Sequence, residues 1–288
     1  MSGRVLEGRP IADIHRRDLT GRTSVLTARA GIPGLAIVRF AAAGPEVAYA
    51  RSLARSAGAI GIEPRDVQLP EQATMDEVAA ALRTLNEDMT VAGIVVIYPI
   101  PAHLDPDAVG QLVDPPKDVD GASPISADRL ARGEPTFVPA TAVAVLEILK
   151  RYDVPLAGRR AVVVGRSRVV GRPTAVLLAA QDANVEVAHR ETGDLPSVTR
   201  GAEILVAAAG VPALIGPEHV NPSAIVVDCG INVTPEGVVG DVDFNRVQPL
   251  VAAITPVPGG VGPVTTMMLL DQVVTAAERA APTPVLTD

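Results

Sequence analysis

The residues best spaced for chemistry form a glycine turn, Gly165-Arg166-Ser167-Arg168-Val169-Val170-Gly171-Arg172-Pro173. It lies between an apolar run at 161–165 (AVVVG) and an apolar helical segment at 174–180. A strand-to-helix turn presents free backbone N–H groups at the positive end of the helix dipole, which favours a bound anion. Ser167 takes the second glycine position of the usual G-x-G-x-x-G, and the last glycine comes later. Strand and helix nevertheless fall where that fingerprint needs them. A dinucleotide cofactor is therefore preferred to an ordinary β–α turn. The next apolar run, 185–189 (VEVAH), leads into Arg190-Glu191-Thr192. An NAD site usually places an acid there for the ribose 2′-hydroxyl. Arg190, with Arg166, instead offers charge to a 2′-phosphate and points to NADP. Glu191 keeps NAD as the alternative, and a solvated surface charge is the ordinary use of either arginine.

Other chemistry is limited by composition. Of 25 Lys+Arg only two are lysines, Lys117 and Lys150, so any step that needs an amine must use one of them. Cys229 is the single cysteine, which excludes an internal disulfide and a multi-cysteine metal site. It ends an apolar run and reads as a small core residue rather than a nucleophile. The histidines, His15, His103, His189 and His219, are too scattered to suggest a metal site. The 288 residues carry 33 Asp+Glu against 25 Lys+Arg, a net charge of −8 without a basic stretch, which argues against nucleic acid as a partner. Aromatics are 2% and Trp is absent, so base stacking is no broad mechanism either. With 48% apolar and 20% charged residues the mix is that of a globular protein. No apolar run reaches about 18 residues, so no membrane helix is expected. The start, MSGRVLEGRP, lacks the apolar segment of a secretory signal, and the expected compartment is the cytoplasm.

The elements that must position these residues alternate. Strands are expected at 34–40, 66–69, 93–98, 161–165, 185–189, 204–208 and 225–229, and helices at 47–58, 75–86, 140–152, 174–180 and 264–280. Strands this apolar suit parallel sheets covered on both faces, and their alternation with helices implies βαβ units. A turn-rich stretch, 114–139, marks a boundary. The expectation is a two-domain α/β protein. An α/β domain at 1–139, to which a helix at 265–288 returns, precedes a Rossmann-like domain at 140–264, with two long helices around a cleft.

The order of three motifs closely resembles the methylenetetrahydrofolate dehydrogenase/cyclohydrolase family. They are Lys117-Asp118-Val119-Asp120-Gly121, then Gly165-Arg166-Ser167 with Val170-Gly171 and Pro173, then Pro256-Val257-Pro258-Gly259-Gly260-Val261-Gly262-Pro263. Segments 202–210, 227–232 (VDCGIN) and 240–244 (GDVDF) add support, and the resemblance runs from about Ala12 to Ala276. It implies a tetrahydrofolate derivative bound against a nicotinamide cofactor, NADP by the arginine argument, in a homodimer. Tyr49 and Asp120 match the family's folate-contacting tyrosine and aspartate. Pro258, Gly259, Gly260 and Pro263 would line the folate and nicotinamide pockets, and Gly165, Arg166, Ser167, Gly171, Arg190 and Ile231 would hold the cofactor. Capping a turn is the ordinary alternative for Asp120.

Four positions depart from the family's pattern. The acid–base lysine, four residues after the tyrosine, is Leu53; its glutamine partner is Ile97. Ala140 stands where the family usually has Cys, and Glu46 where it has Ser. The family runs two reactions. Hydride transfer from 5,10-methylenetetrahydrofolate rests mostly on alignment. Hydrolysis of the methenyl product needs a group that titrates near neutrality. Leu53 does not titrate, and Arg55 stays protonated. The expectation is thus an NADP-dependent methylenetetrahydrofolate dehydrogenase with cyclohydrolase activity lost or very weak. The alternatives are the full bifunctional enzyme, a non-catalytic folate- or nucleotide-binding homologue, and a pocket reshaped by Leu53, Ile97 and Tyr98 for another one-carbon substrate.

Overall fold

The computed structural model describes residues 3–40, 43–235 and 237–282. In chain order the strands are β1 Arg4–Val5, β2 Gly34–Arg39, β3 Glu63–Gln68, β4 Val91–Val96, β5 Arg160–Val164, β6 Asn184–Ala188, β7 Ile204–Ala207, β8 Ile225–Asp228, β9 Asn232–Thr234, β10 Gly237–Val239 and β11 Ala253–Ile254. The helices are α1 Arg9–Ala30, α2 Pro45–Gly58, α3 Met75–Glu87, α4 Pro106–Gln111, α5 Pro124–Ala131, α6 Ala140–Arg151, α7 Gly171–Ala179, α8 Leu195–Thr199, α9 Phe244–Val247 and α10 Val261–Ala280. Two compact units divide the chain: residues 1–13 with 139–268, and residues 14–138 with 269–288.

The first unit is built on a six-stranded sheet, β1-β11-β8-β7-β5-β6, parallel at every pairing. Its central strands β5, β7 and β8 bury nearly every residue, as near-continuous Val/Ile/Leu runs require when helices cover both faces. The edge strand β6 is mostly exposed, with Glu186 in the middle. Residues 3–13 belong here rather than to the 1–139 domain expected from the sequence. The reason is main-chain pairing: Arg4 and Val5 add a sixth strand beside Ala253 and Ile254. Tyr152 secures that segment. Its hydroxyl donates to the Glu7 carbonyl at 2.9 Å, and Arg4 stacks over its ring at 4.8 Å. A small antiparallel hairpin, β9–β10, completes the unit.

The second unit holds a three-stranded parallel sheet, β3-β2-β4. All six residues of the central strand β2 are buried, whereas β3 is a polar edge that tolerates Pro64. Helix α3 starts with a reciprocal capping box between Thr74 and Glu77, and its Val78 and Leu82 enter the core beside Ala36, Val38 and Ile94. The segment 117–121 continues this layer. The Ile94 N–H donates to the Lys117 carbonyl at 2.8 Å, and the Val119 methyls lie over Gly93. A Cβ at Gly93 would stand 2.7 Å from two of those methyl carbons, so this strand position has room for glycine alone. Arg22 of α1 binds Glu278 through two bonds of 3.0 and 2.8 Å and also reaches Asp271, joining α1 to the second half of α10. Of the returning segment expected at 265–288, residues 283–288 lie outside the described ones.

Gly93→Ala should therefore destabilise the protein by about 1–3 kcal/mol, as overpacking of a filled interior does. The measurement is the urea midpoint at unchanged slope; an unshifted midpoint would contradict the Val119 contact.

Candidate functional site

In the first unit, strand β5 ends at Val164 and the chain turns at Gly165 with φ 126°, a left-handed conformation that favours glycine. The turn is closed backbone against backbone. A Cβ at Gly165 would stand 2.1 Å from the Ala208 carbonyl oxygen, and one at Gly171 would stand 2.1 Å from the Gly165 carbonyl oxygen. Ser167 shapes the second half of the turn: its hydroxyl accepts the Val170 and Gly171 N–H groups at 3.2 and 3.3 Å. The residue that breaks the glycine fingerprint thus caps the entry to α7. A glycine turn between a strand and a helix is the element that a dinucleotide's pyrophosphate meets in this class of fold.

Beside it, Arg166 and Arg190 are exposed. Arg166 Nη2 sits 3.3 Å from Glu191 Oε2, and His189 Nδ1 lies 3.8 Å from the same oxygen. Glu191, the acid that favours NAD in the sequence, is therefore paired with one of the two arginines that favour NADP. Ile231, 69% exposed, lies between β8 and β9 in a turn held by two carboxylates. Asp228 accepts the N–H groups of Gly230, Asp241 and Val242 at 2.8–2.9 Å. Asp241 accepts those of Ala209 and Gly210 at 2.6 and 2.8 Å and the Asn232 amide at 2.9 Å. Burial pushes the Asp228 carboxyl up to about 6 despite its three N–H donors. Sequence reasoning marks both segments but misses that their acids hold the turns after β7 and β8. The paired spacing Asp228…Asp241 in glycine-flanked contexts is the signal that could have found them. Burial raises the Cys229 thiol.

The proline-glycine loop belongs to the same unit. The Gly8 N–H donates to the Gly259 carbonyl and the Gly260 N–H to the Pro256 carbonyl, both at 2.8 Å, which fixes the loop against the start of α1. Pro258 is exposed, Gly260 is buried, and Pro263 occupies the first turn of α10, where proline loses no helix bond.

The second unit gathers Tyr49, Leu53, Ile97 and Asp120. Tyr49 and Leu53 lie on one face of α2, four residues apart. Tyr49 is 44% exposed, whereas Leu53 and Ile97 are 1% and 5% exposed. The Ile97 N–H donates to the Val38 carbonyl at 2.8 Å, extending β4 along β2 by one residue. Burial first, and then the negative charge of Asp120, raise the Tyr49 phenol. The two carboxylates of the 117–121 segment differ. Asp118 is consumed by the turn after it, accepting the Ala122 and Ser123 N–H groups and the Ser126 hydroxyl at 3.2, 3.1 and 2.6 Å. No hydrogen bond among the described residues reaches the Asp120 carboxyl. Burial, with a smaller contribution from Asp118, pushes it up to about 7. Turn-capping is therefore the role of Asp118, and not of Asp120.

Lys117 is also consumed. Its ammonium donates to the carbonyls of Leu85, Asn86 and Asp88 at 3.0, 2.6 and 2.8 Å, closing the C-terminal end of α3. Two positioning groups escape sequence reasoning. Gln272 of α10 donates to the carbonyls of Val119 and Val138 at 2.7 and 3.0 Å and accepts the Val138 N–H at 3.1 Å. A lone amide in an apolar helix is its signal. Arg39, at the end of β2, makes a two-pronged ion pair with Asp66, both bonds 2.7 Å, and gives none.

Comparison with known proteins assigns both units. Residues 6–120 match the family model of the tetrahydrofolate dehydrogenase/cyclohydrolase catalytic domain, and residues 139–281 match the NAD(P)-binding domain of the same family. The bifunctional protein FolD of Parafrankia is 46% identical over 274 residues, which cover 95% of this chain and 99% of that one. The crystal structure of the bifunctional enzyme FolD from Campylobacter jejuni aligns with a TM-score of 0.93 at 37% identity, covering 96% of this chain and 99% of the other. The Trypanosoma brucei enzyme, complexed with NADP cofactor and an inhibitor, aligns with a TM-score of 0.91 at 36% identity, covering 97% and 98%. The strand-to-helix glycine cradle, the Asp120 segment and these matches along almost the whole sequence have one meaning: the chain belongs to the tetrahydrofolate dehydrogenase/cyclohydrolase family.

Proposed function

We propose that the chain oxidises 5,10-methylenetetrahydrofolate to the 5,10-methenyl compound with NADP⁺. The observation that carries the reading is the glycine cradle flanked by Arg166 and Arg190, with a recessed Asp120 beside Tyr49 in the other unit. When bound, the nicotinamide supplies the hydride acceptor. The chain's own residues bind and align. The N–H groups of the turn and Ser167 hold the pyrophosphate end, Arg190 and Arg166 the 2′-phosphate, and Ile231 the nicotinamide side. Asp120 accepts hydrogen bonds from the pterin, and Tyr49 packs on its ring. Pro258, Gly259, Gly260 and Pro263 bound the reacting end. Hydride transfer of this kind needs alignment more than a proton carrier.

The hydrolytic step divides two readings. The relatives are named bifunctional, which supports a retained cyclohydrolase better than the loss expected from the sequence. The dehydrogenase-only reading rests on Leu53 and Ile97, which stand where the family carries its lysine and glutamine and are buried and without a titrating atom. The bifunctional reading is the one we adopt, with a condition: the proton carrier is a group other than residue 53. Asp120, pushed up to about 7, has the protonation range this step needs.

The deciding measurement tracks NADPH formation and decay of the methenyl chromophore on one preparation. NADPH formation is expected, together with enzyme-dependent decay of the chromophore. Decay at the solution rate would return the dehydrogenase-only reading, since losing acid–base help costs about 10²–10⁴-fold. Absence of both activities would leave a binding protein. Leu53→Lys with Ile97→Gln should speed the decay, and Leu53→Lys alone should do less, because a buried amine without its partner is desolvated.

Replacing Arg190 by Ala should weaken NADP⁺ by about 1–3 kcal/mol and spare NAD⁺, as loss of a charge-assisted contact does. Equal loss for both nucleotides would remove Arg190 from the 2′-phosphate.

The raised Asp120 carboxyl gives folate binding a pH dependence. Pterin N–H donors favour the ionised form, so affinity should fall as pH drops through about 7. One linked proton limits the slope to about tenfold per unit. Titrating a folate ligand from pH 8 to pH 5 tests this, and Asp120→Asn should give a weak, flat profile.

A further inference from the structure

A cavity of about 710 Å³ opens at the amino-terminal end of the sheet in the second unit. Its walls come from the end of α1, the residues just before β2 and β4, the Lys117 segment and the end of α10. Of the groups at the candidate folate site, Ile97 stands at the other end of the sheet, following the last residue of β4. Six residues of strand separate the two ends by about 17 Å at ~3.3 Å per step. Ligands of parallel sheets bind beyond the carboxyl ends of the strands. This cavity is therefore not an extension of the site assigned to folate, and the inference does not depend on that assignment.

The chemistry of the lining is one-sided. Three cations face it, Lys117, Arg129 and Arg279, and no acid does, in a chain of net charge −8. The Lys117 ammonium is turned to three carbonyls at the end of α3, with Asp88 and Asp114 in electrostatic reach, so the cations left to the cavity are Arg129 and Arg279. Arg279 is held over the ring of Phe137, 5.1 Å from its centroid. Glu134 lies within electrostatic reach of Arg129, but Arg132 takes its carboxylate at 2.7 Å. Between the cations the wall is apolar, with Leu26, Ile32 and Phe137. The wall itself is secured, because Arg29 donates to the Pro282 carbonyl at 3.0 Å and ties the end of α10 to α1. The volume lies within the ordinary range for small-molecule sites, about 300–1,000 Å³.

We propose that this cavity binds a small amphipathic carboxylate, with its apolar body against Phe137 and Ile32 and its anionic group between Arg129 and Arg279. Charge complementarity selects the anion, and the apolar wall selects a hydrocarbon body over a bare ion such as phosphate.

The test uses the full chain with saturating NADP⁺ and folic acid, so that the cofactor and folate sites are filled. The probe is 2-naphthoate, followed by calorimetry and by its own fluorescence; the chain has no Trp to interfere. Saturable binding of one molecule per chain is expected. The neutral analogue 2-naphthalenemethanol should bind about tenfold more weakly, the usual effect of losing a charge-assisted contact. Arg129→Gln and Arg279→Gln should each weaken 2-naphthoate to a similar degree at an unchanged melting temperature. Should either variant fail to fold, Ala277→Phe, which fills the cavity from α10, should abolish binding. Equal affinity for acid and alcohol, displacement by NADP⁺ or folic acid, or indifference to these substitutions would each overturn the proposal.

Discussion

Contact of backbone with backbone at the end of β5 is the constraint on which the cofactor unit depends. The chain at Gly165 passes so close to the Ala208 carbonyl, and Gly171 so close to the Gly165 carbonyl, that no side chain fits at either position. That closeness turns the strand directly into α7, whose entry the Ser167 hydroxyl closes from within the turn. It also ties the cradle to the end of β7, whose own turn is held by Asp241. The geometry of the nucleotide end and of the Ile231 turn therefore shares one support. In the other unit a similar economy operates at Gly93, where an absent side chain lets Val119 settle onto the sheet and carries Asp120 to its place.

The acids of the two units fall into two kinds. Asp228, Asp241 and Asp118 each accept three hydrogen bonds from the protein. Such carboxylates build turns, and their lone pairs are largely occupied. Asp120 is recessed without such partners, and the cost of burying its charge shows in its raised affinity for a proton. The leucine and isoleucine at positions 53 and 97 fit the same logic, since a polar group buried there would need a partner.

Much of this architecture is legible in the sequence. The two-domain α/β organisation emerges from β-branched runs alternating with amphipathic segments, and strands β2, β4, β5, β7 and β8 lie within about two residues of expectation. Their burial on both faces makes the signal strong. Helix α1 escapes a reading by pattern because its buried residues, Ile11, Ala12, Leu19, Thr23 and Leu26, are interrupted by Arg, Asp and Gly. Helix α5 lies hidden in a turn-rich stretch, although Ser123 before Pro124 is a recognisable helix start. Strands β1 and β11 are two residues each and exist only through their pairing, which no local pattern announces. At the site, the motif order singles out Tyr49, Asp120 and the glycine turn as candidates. The uses of Lys117, Asp118 and Gln272 depend on partners distant in sequence or on which neighbouring N–H groups face them, and only three-dimensional placement reveals these.

The fate of Lys117 has a practical side. One of the two lysines has its amine bound to three carbonyls at the end of α3, while Lys150 is exposed near the end of α6. An acylating reagent needs a free, deprotonated amine with open approach. Of the side-chain amines, Lys150 alone offers that approach. The enzyme thus carries a nearly unique chemical handle on a helix end, where a dye or a surface linkage can be attached at a defined residue.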